Sequence, residues 1–215
     1  MGKSLGKAWH FIWEENSALS WIVNVVLAFV IIKFLVYPGL GFVLQTENPV
    51  VAVVSCSMEH RSTDCGAGAA YRICSVPFPG EASVNFDDYW NLCGDWYGNR
   101  SISKTDFSGF SFSGGFNKGD LIILKGKKPA DIVPGDVIVF QGPEPDPIIH
   151  RVVSKEQTGG KYFFSTKGDH NSGQLPYEKS ISESQIIGKA SVRIPFLGNV
   201  KLVFTSLIGA LRGAA

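Results

Sequence analysis

The sequence lacks an excess of charge of either sign. Its 215 residues carry 20 Lys and Arg against 19 Asp and Glu, and only 18% of the residues are charged. This balance argues against a protein that binds nucleic-acid phosphates through a broad basic surface, so no nucleic-acid partner is expected. Because 12% of the residues are aromatic, a disordered, self-repelling chain is excluded as well.

Several site motifs are also missing. The glycine signatures of dinucleotide and phosphate-loop sites do not occur, and no internal repeat is visible, so we expect no cofactor. A metal site is not expected either, because the few cysteines have no C-x-x-C spacing and His60 is the only histidine near them. The cysteines are Cys56, Cys65, Cys74 and Cys93.

These cysteines can form disulfides if they lie outside the cytosol, and four cysteines allow three pairings. Three of them fall in the segment 61–117. We expect one disulfide within that segment and a buried free thiol at Cys56.

Apolar residues are concentrated near the N-terminus. The run Ala18–Tyr37 is interrupted by a single charge, Lys33, and as a helix of about 20 residues it would be about 30 Å long, enough to cross a bilayer core. Pro38-Gly39 predicts the end of this helix. The run is longer than the apolar part of a cleaved signal peptide, which favours a permanent anchor over residues 18–37.

Charge sets the expected orientation of the anchor. Lys3 and Lys7 precede it, and no Lys or Arg occurs from Phe34 to His60. The positive-inside rule therefore predicts a cytoplasmic N-terminus, residues 1–17, and an extracytoplasmic domain over residues 45–200. For the apolar C-terminal segment, 201–215, we expect a short helix on the membrane surface. A second span starting near Ile194 stays open.

Between these segments the pattern is that of a β protein. Short β-branched runs alternate with Gly, Pro and Asp, which is typical of a barrel or sandwich. The runs are 50–54, 121–124, 137–140, 148–153 and 162–166. Residues 61–117 are rich in Gly, Ser and aromatics and interrupt this pattern of short strands. They predict a large surface insertion, or alternatively an aromatic-lined subdomain that contacts substrate, lipid or a partner.

Candidate catalytic residues lie at the ends of these strands. Acyl-transfer chemistry needs a nucleophile, a base, a group that orients the base, and donors for the oxyanion. Ser57 follows the first strand, His150 lies within a strand, and Asp169 lies in a polar turn. Each has a plainer interpretation as a turn serine, a strand histidine or a turn-forming aspartate.

Taken in order, the motifs resemble those of the signal peptidase I family, in its archaeal and endoplasmic-reticulum form. The matching stretches are VVAVVSCSMEH, NKGDLIIL, PGDVIVF, IIHRVV and TKGDHN, with an anchor before the first. The resemblance implies a mainly β catalytic domain of barrel or sandwich type behind a transmembrane helix. It assigns Ser57 as nucleophile, His150 as base in place of a lysine, and Asp169 as the residue that orients His150. Ser55 and the Ser57 backbone N–H would form the oxyanion hole, and Asp136 would be a turn residue.

The sequence departs from the family pattern at three places. Cys56 stands where glycine is usual, and His60 stands at or next to a usual proline. A second aspartate expected six or seven residues after Asp169 is missing, and Glu178 is the nearest acid. These departures leave the acidic member of the triad open.

The resemblance implies a serine endopeptidase that removes signal peptides from preproteins, cleaving after small residues. Its partners would be preproteins, the lipid bilayer and the secretion translocon. It would reside in an archaeal plasma membrane or the endoplasmic reticulum. Two alternatives stay open: a peptidase for a narrow set of precursors, and a non-catalytic anchored β-domain with a structural or binding role.

Overall fold

The computed structural model describes residues 2–65 and 71–195. The C-terminal segment 201–215 and nearly all of the alternative second span lie outside the described residues. The helices are α1 (Gly2–Trp13), α2 (Ala18–Ile31), α3 (Tyr37–Leu44), α4 (Phe86–Gly98) and α5 (Lys104–Ser108). The strands are β1 (Val50–Ala52), β2 (Arg61–Ser62), β3 (Arg72–Ile73), β4 (Val76–Pro77), β5 (Ala82–Ser83), β6 (Leu121–Lys125), β7 (Val137–Phe140), β8 (Ile148–Thr158), β9 (Lys161–Lys167), β10 (Ile181–Ser182) and β11 (Ile186–Ile194).

The main sheet has seven strands in the order β1-β6-β11-β7-β8-β9-β10 and curls into a half-barrel. This confirms the predicted mainly β class with an N-terminal apolar helix. Each of the five strand runs predicted from the sequence overlaps a strand of this sheet. The strands β10 and β11 were not predicted.

Strand β7 shows how the sheet builds its cores. Because successive side chains of a strand point to opposite faces, Val137 and Val139 pack on one side and Ile138 and Phe140 on the other. The first pair joins the cluster that contains Met58, directly after Ser57. Both faces of β7 are covered, which is why all four of its residues are buried and its sequence is continuously apolar.

The segment 61–117 forms a subdomain with a core of its own. Helix α4 begins at an Asn85 N-cap and contributes Tyr89, Cys93 and Tyr97 to a buried cluster with Phe107 and Val153 of β8. The aromatic side chains of this insertion therefore pack largely inward, against the back of β8 and β9.

The apolar helix is longer than predicted. Helices α2 and α3 are continuous through a π-helical turn, Ile32–Val36, so the helical stretch runs from Ala18 to Leu44 and has 27 residues. The expected stop at Pro38 is wrong. Within the π-helical turn the Tyr37 N–H bonds to the Ile32 carbonyl five residues back, and this wider turn accommodates a proline ring that would clash in a regular helix. By length and composition this helix can cross a membrane.

The cysteines form two disulfides, Cys56–Cys65 and Cys74–Cys93. The second bond lies within 61–117, as expected. The prediction of a free thiol at Cys56 is wrong, because the turn after β1 brings Cys56 within a Cα–Cα distance of 5.5 Å of Cys65.

Candidate active site

Ser57 lies in a turn that is held from several sides. The turn follows β1 and is closed by a hydrogen bond from the Glu59 N–H to the Cys56 carbonyl. The Ser57 carbonyl accepts a hydrogen bond of 2.9 Å from the His170 N–H. Met58 is fully buried, and Cys56 is tied to Cys65. The backbone around the candidate nucleophile is therefore anchored on both sides.

The Ser57 hydroxyl lies 3.1 Å from the Ser55 hydroxyl. Within residues 2–65 and 71–195, no hydrogen bond joins Ser57 to His150. The structure thus places the two hydroxyl groups side by side, with the Ser57 side chain turned toward Ser55.

His150 is oriented by a buried carboxylate. It lies on β8 opposite Ile138 of β7, and its Nδ1 is hydrogen-bonded to Oε1 of Glu178. Glu178 is itself fixed, since its Oε2 accepts the Leu175 N–H at 2.8 Å and its Oε1 accepts the Thr166 hydroxyl at 3.3 Å. A histidine held at Nδ1 presents its other nitrogen, Nε2, to the opposite side.

Gly168 marks the point where the candidate groups converge. A Cβ atom placed on Gly168 would lie 2.7 Å from each of three atoms: Nε2 of His150, the carbonyl oxygen of Ser57 and Nδ2 of Asn171. The free nitrogen of His150 therefore lies next to the Ser57 turn. Only a residue without a side chain leaves this space open.

Asp169 lies elsewhere. Its carboxylate accepts hydrogen bonds from Arg151 Nε and Nη2, at 2.9 and 2.6 Å, and from the Tyr97 hydroxyl at 3.1 Å. It also bonds to His60 Nε2 at 3.1 Å. The expected contact with His150 is not formed, because neighbouring strand residues point to opposite faces of the sheet, so that Asp169 meets Arg151 and His150 meets Glu178.

The Asp169–Arg151 pair is completely buried. Burial alone would raise the pKa of the Asp169 carboxyl, but the Arg151 charge and the His60 hydrogen bond hold it well below its ordinary value. The remaining Arg151 donors bond to the Ser111, Phe112 and Gly135 carbonyls. This pair is a structural link between β8, the turn after β9 and the insertion.

Lys167 supports the same turn. Its buried ammonium group donates to the Gly168 and Asp169 carbonyls at 3.0 and 3.3 Å, and it lies over the Trp96 and Tyr97 rings. Burial lowers the pKa of Lys167 to about 8, although the charges of Asp169 and Glu178 act in the opposite direction.

Ser57 and His150 open into one cavity of about 410 Å³. One wall is Ala52 and Val54 at the end of β1, and another is the acidic, proline-rich loop 144–147. Because β1 is an edge strand of the sheet, its outer side is available to pair with an extended peptide.

One cluster has the spacing of a metal site. Ligand atoms of Cys56, Cys65 and His170 lie within 4.8 Å of one another. Thiolates, not disulfide sulfurs, ligate metals, and here both sulfurs belong to the Cys56–Cys65 bond. The oxidised chain therefore does not offer this group as a ligand set.

Sequence reasoning did not assign a role to Glu178 or Asn171. Glu178 could have been found as the nearest acid after the turn, whereas nothing in the sequence signals that the Asn171 amide lies, like Nε2 of His150, next to Gly168. The same holds for His60, which stacks on Tyr89 with ring centroids 3.6 Å apart and bonds to Asp169.

The fold and site define a mainly β domain attached to an apolar helix of membrane-spanning length, with a serine and a carboxylate-backed histidine in one cleft. Comparison with protein-family models gives no match. Over part of its length the chain is nevertheless similar to proteins of the endoplasmic-reticulum type of the signal peptidase I family.

The relatives are named signal peptidase complex catalytic subunits. SEC11 of Lachancea thermotolerans is 33% identical over 96 residues, which is 40% of this chain and 56% of the relative. Human SEC11C is 32% identical over 99 residues, 41% of this chain and 50% of the relative. SEC11 of Metarhizium acridum is 31% identical over 97 residues, 42% and 56% of the two chains. The chain spans about half the length of the relatives it matches.

Proposed function

We propose that the chain is a membrane-anchored serine endopeptidase that removes N-terminal signal peptides from secreted and membrane preproteins, cleaving after small residues. One observation carries the proposal. In a homologue of signal peptidase catalytic subunits, Ser57 and a His150 backed by Glu178 line the same cavity beside an edge strand.

The proposed mechanism uses the side chains of Ser57, His150 and Ser55. The Ser57 hydroxyl, which faces Ser55 in the structure, would turn toward Nε2 of His150 and transfer its proton to that nitrogen. Its oxygen then attacks the scissile carbonyl, and the carbon–nitrogen bond of the tetrahedral intermediate breaks as His150 protonates the leaving amine. Water, deprotonated by His150, then attacks the acyl carbonyl, the ester bond to Ser57 breaks, and His150 returns its proton to the Ser57 oxygen.

Two further groups would stabilise the charges that develop. Glu178 accepts a hydrogen bond from Nδ1 of His150 and stabilises the imidazolium form, the part that the sequence assigned to Asp169. The Ser55 hydroxyl and the Ser57 backbone N–H would donate to the oxyanion. In this proposal Asp169 is a positioning residue, because it keeps the turn 168–171 against Arg151.

The proposed topology has a cytoplasmic N-terminus and an extracytoplasmic cleft, in the endoplasmic reticulum or an archaeal plasma membrane. Two disulfides in the domain support an oxidising compartment. The domain begins a few residues after Leu44, which would hold Ser57 close to the bilayer where a translocon delivers signal peptides.

The test is cleavage of a preprotein by the full chain in membranes or detergent. We expect Ser57→Ala to abolish processing, Ser55→Ala to lower kcat by about 10²-fold, and Ser154→Ala, on the exposed part of β8, to have no effect. A serine-directed acylating inhibitor should label Ser57. A folded wild-type chain that neither cleaves nor takes the label would instead be a non-catalytic anchored domain.

A further inference from the structure

Helix α1 carries two different sides. At 3.6 residues per turn, residues spaced by three or four lie on the same side of a helix. His10 lies on one side of the helix, and Trp9, Ile12 and Trp13 follow one another along the other side.

The tryptophan side chains of α1 are mostly exposed in the described part of the chain. Trp9 and Trp13 are 62% and 69% exposed, and their ring centroids lie 5.6 Å apart. Trp21, in the first turn of α2, is 71% exposed. Tryptophan is enriched where a membrane meets water, because one part of its ring system is apolar and its N–H is polar.

Two polar side chains of the apolar helix hold α1 in place. The Ser20 hydroxyl donates to the Phe11 carbonyl at 2.5 Å, and Nδ2 of Asn24 donates to the Ile12 carbonyl at 2.8 Å. Both carbonyls belong to the last turn of α1, where helical partners are missing. Ser20 is almost fully buried by this contact. The end of α1 is therefore fixed at the first two turns of α2.

We propose that α1 is an interfacial helix that binds the lipid surface around the N-terminal end of the span. The side of Trp9 and Trp13 would enter the upper acyl region of the bilayer. Lipid is the occupant because the tryptophan side adjoins α2, whose apolar side chains are themselves exposed as a membrane span requires. The sequence also places two lysines in this segment, Lys3 and Lys7, whose positive charge suits an anionic membrane surface.

The experiment uses the full chain in vesicles of phosphatidylcholine and phosphatidylglycerol, with bromine near the top of some acyl chains. All chains carry Trp21→Phe, which removes the exposed tryptophan of α2. Tryptophan emission is compared for this background alone, with Trp9→Phe/Trp13→Phe added, and with the control Trp90→Phe added, a residue packed against the insertion core. We expect most of the bromine quenching to vanish in the double variant and to persist in the control.

A second variant pair tests the attachment. Ser20→Ala/Asn24→Leu should lower the quenching of Trp9 and Trp13, since α1 is then no longer held at the start of α2. Unchanged bromine quenching in Trp9→Phe/Trp13→Phe, or loss of the Trp9 and Trp13 emission to acrylamide from the water phase, would overturn the proposal. In that case the tryptophan face is free or is reserved for another protein. Thermal unfolding of the domain confirms that each variant is folded.

Discussion

The Asp169 carboxylate accepts two hydrogen bonds from Arg151 and none from His150, the residue next to Arg151 on β8. His150 instead bonds to Glu178. Of the two acids that follow β9, Asp169 thus forms a buried ion pair on one face of β8. Glu178 supports His150 on the other face, which is open to the cleft.

This assignment predicts different effects for two conservative substitutions. Glu178→Gln should lower kcat for preprotein cleavage by about 10³- to 10⁴-fold, because the histidine loses the charge that stabilises its protonated form. The unfolding free energy should change far less than the rate.

Asp169→Asn should lower the unfolding free energy by about 3–5 kcal/mol, because it leaves the buried Arg151 charge without a counter-charge. Denaturant unfolding and single-turnover cleavage measure the two quantities. If Asp169→Asn were fully stable and inactive while Glu178→Gln cleaved normally, the assignment would be reversed.

A methyl group at position 168 should inactivate the site without unfolding the domain. The added Cβ would lie 2.7 Å from His150, Ser57 and Asn171, so these groups must separate. We expect Gly168→Ala to lower kcat by at least about 10²-fold, since small displacements of reacting groups are costly. The matched control is Gly98→Ala, where nothing lies within 4 Å of the new atom. Equal activity in the two variants would show that the groups around Gly168 do not form the reacting site.

The buried Lys167 predicts a rise in stability at alkaline pH. Its pKa is lowered to about 8 in the folded chain from 10.5, so between these values the unfolded chain binds a proton that the folded chain has released. The unfolding free energy should therefore increase by a few kcal/mol as the pH rises from about 8 to about 10.5. Urea unfolding of the domain over this range measures the slope. The same series on Lys167→Met should be flatter, and a wild-type slope of the opposite sign would contradict the burial of a charged ammonium.

Removal of the insertion disulfide should weaken the subdomain behind the site. Cys74 and Cys93 are 19 positions apart, and closing a loop of about this length stabilises by roughly 3 kcal/mol in the chain-entropy view. We expect Cys74→Ser/Cys93→Ser to lose stability of this order in thermal unfolding. Cleavage at a temperature well below the transition should be retained. Loss of cleavage in a fully folded double variant would indicate a direct role for the insertion in substrate contact.

The sequence was sufficient for five strands of the main sheet, because the signal for each of them is local. A β-branched run between turn residues predicts a strand wherever it occurs, and Ser57 and His150 lie at or in such runs. The same reasoning missed β11, whose run is interrupted by Gly188 and Lys189. It also ended the apolar helix at Pro38, since a π-helical turn has no local sequence signal comparable to that of proline.

The acidic partner of His150 could not be predicted with the same certainty. Asp169 is 19 positions from His150, whereas Glu178 is farther along the chain, at a separation of 28. Which of them meets the histidine depends on the strand face and on a short helical turn, Pro176–Glu178, that brings the carboxylate back over β8. Likewise, the pairing of Cys56 with Cys65 depends on the path of the chain after β1.

The inward-packed insertion has a consequence for any attempt to shorten this chain. Ser111 and Phe112 supply carbonyl acceptors to Arg151, and Tyr97 supplies a hydroxyl to Asp169. Trimming the segment to a minimal domain would remove these groups from a fully buried ion pair and admit water to it. We therefore expect a chain shortened at this segment to lose stability, since the insertion completes the hydrogen bonding of that pair.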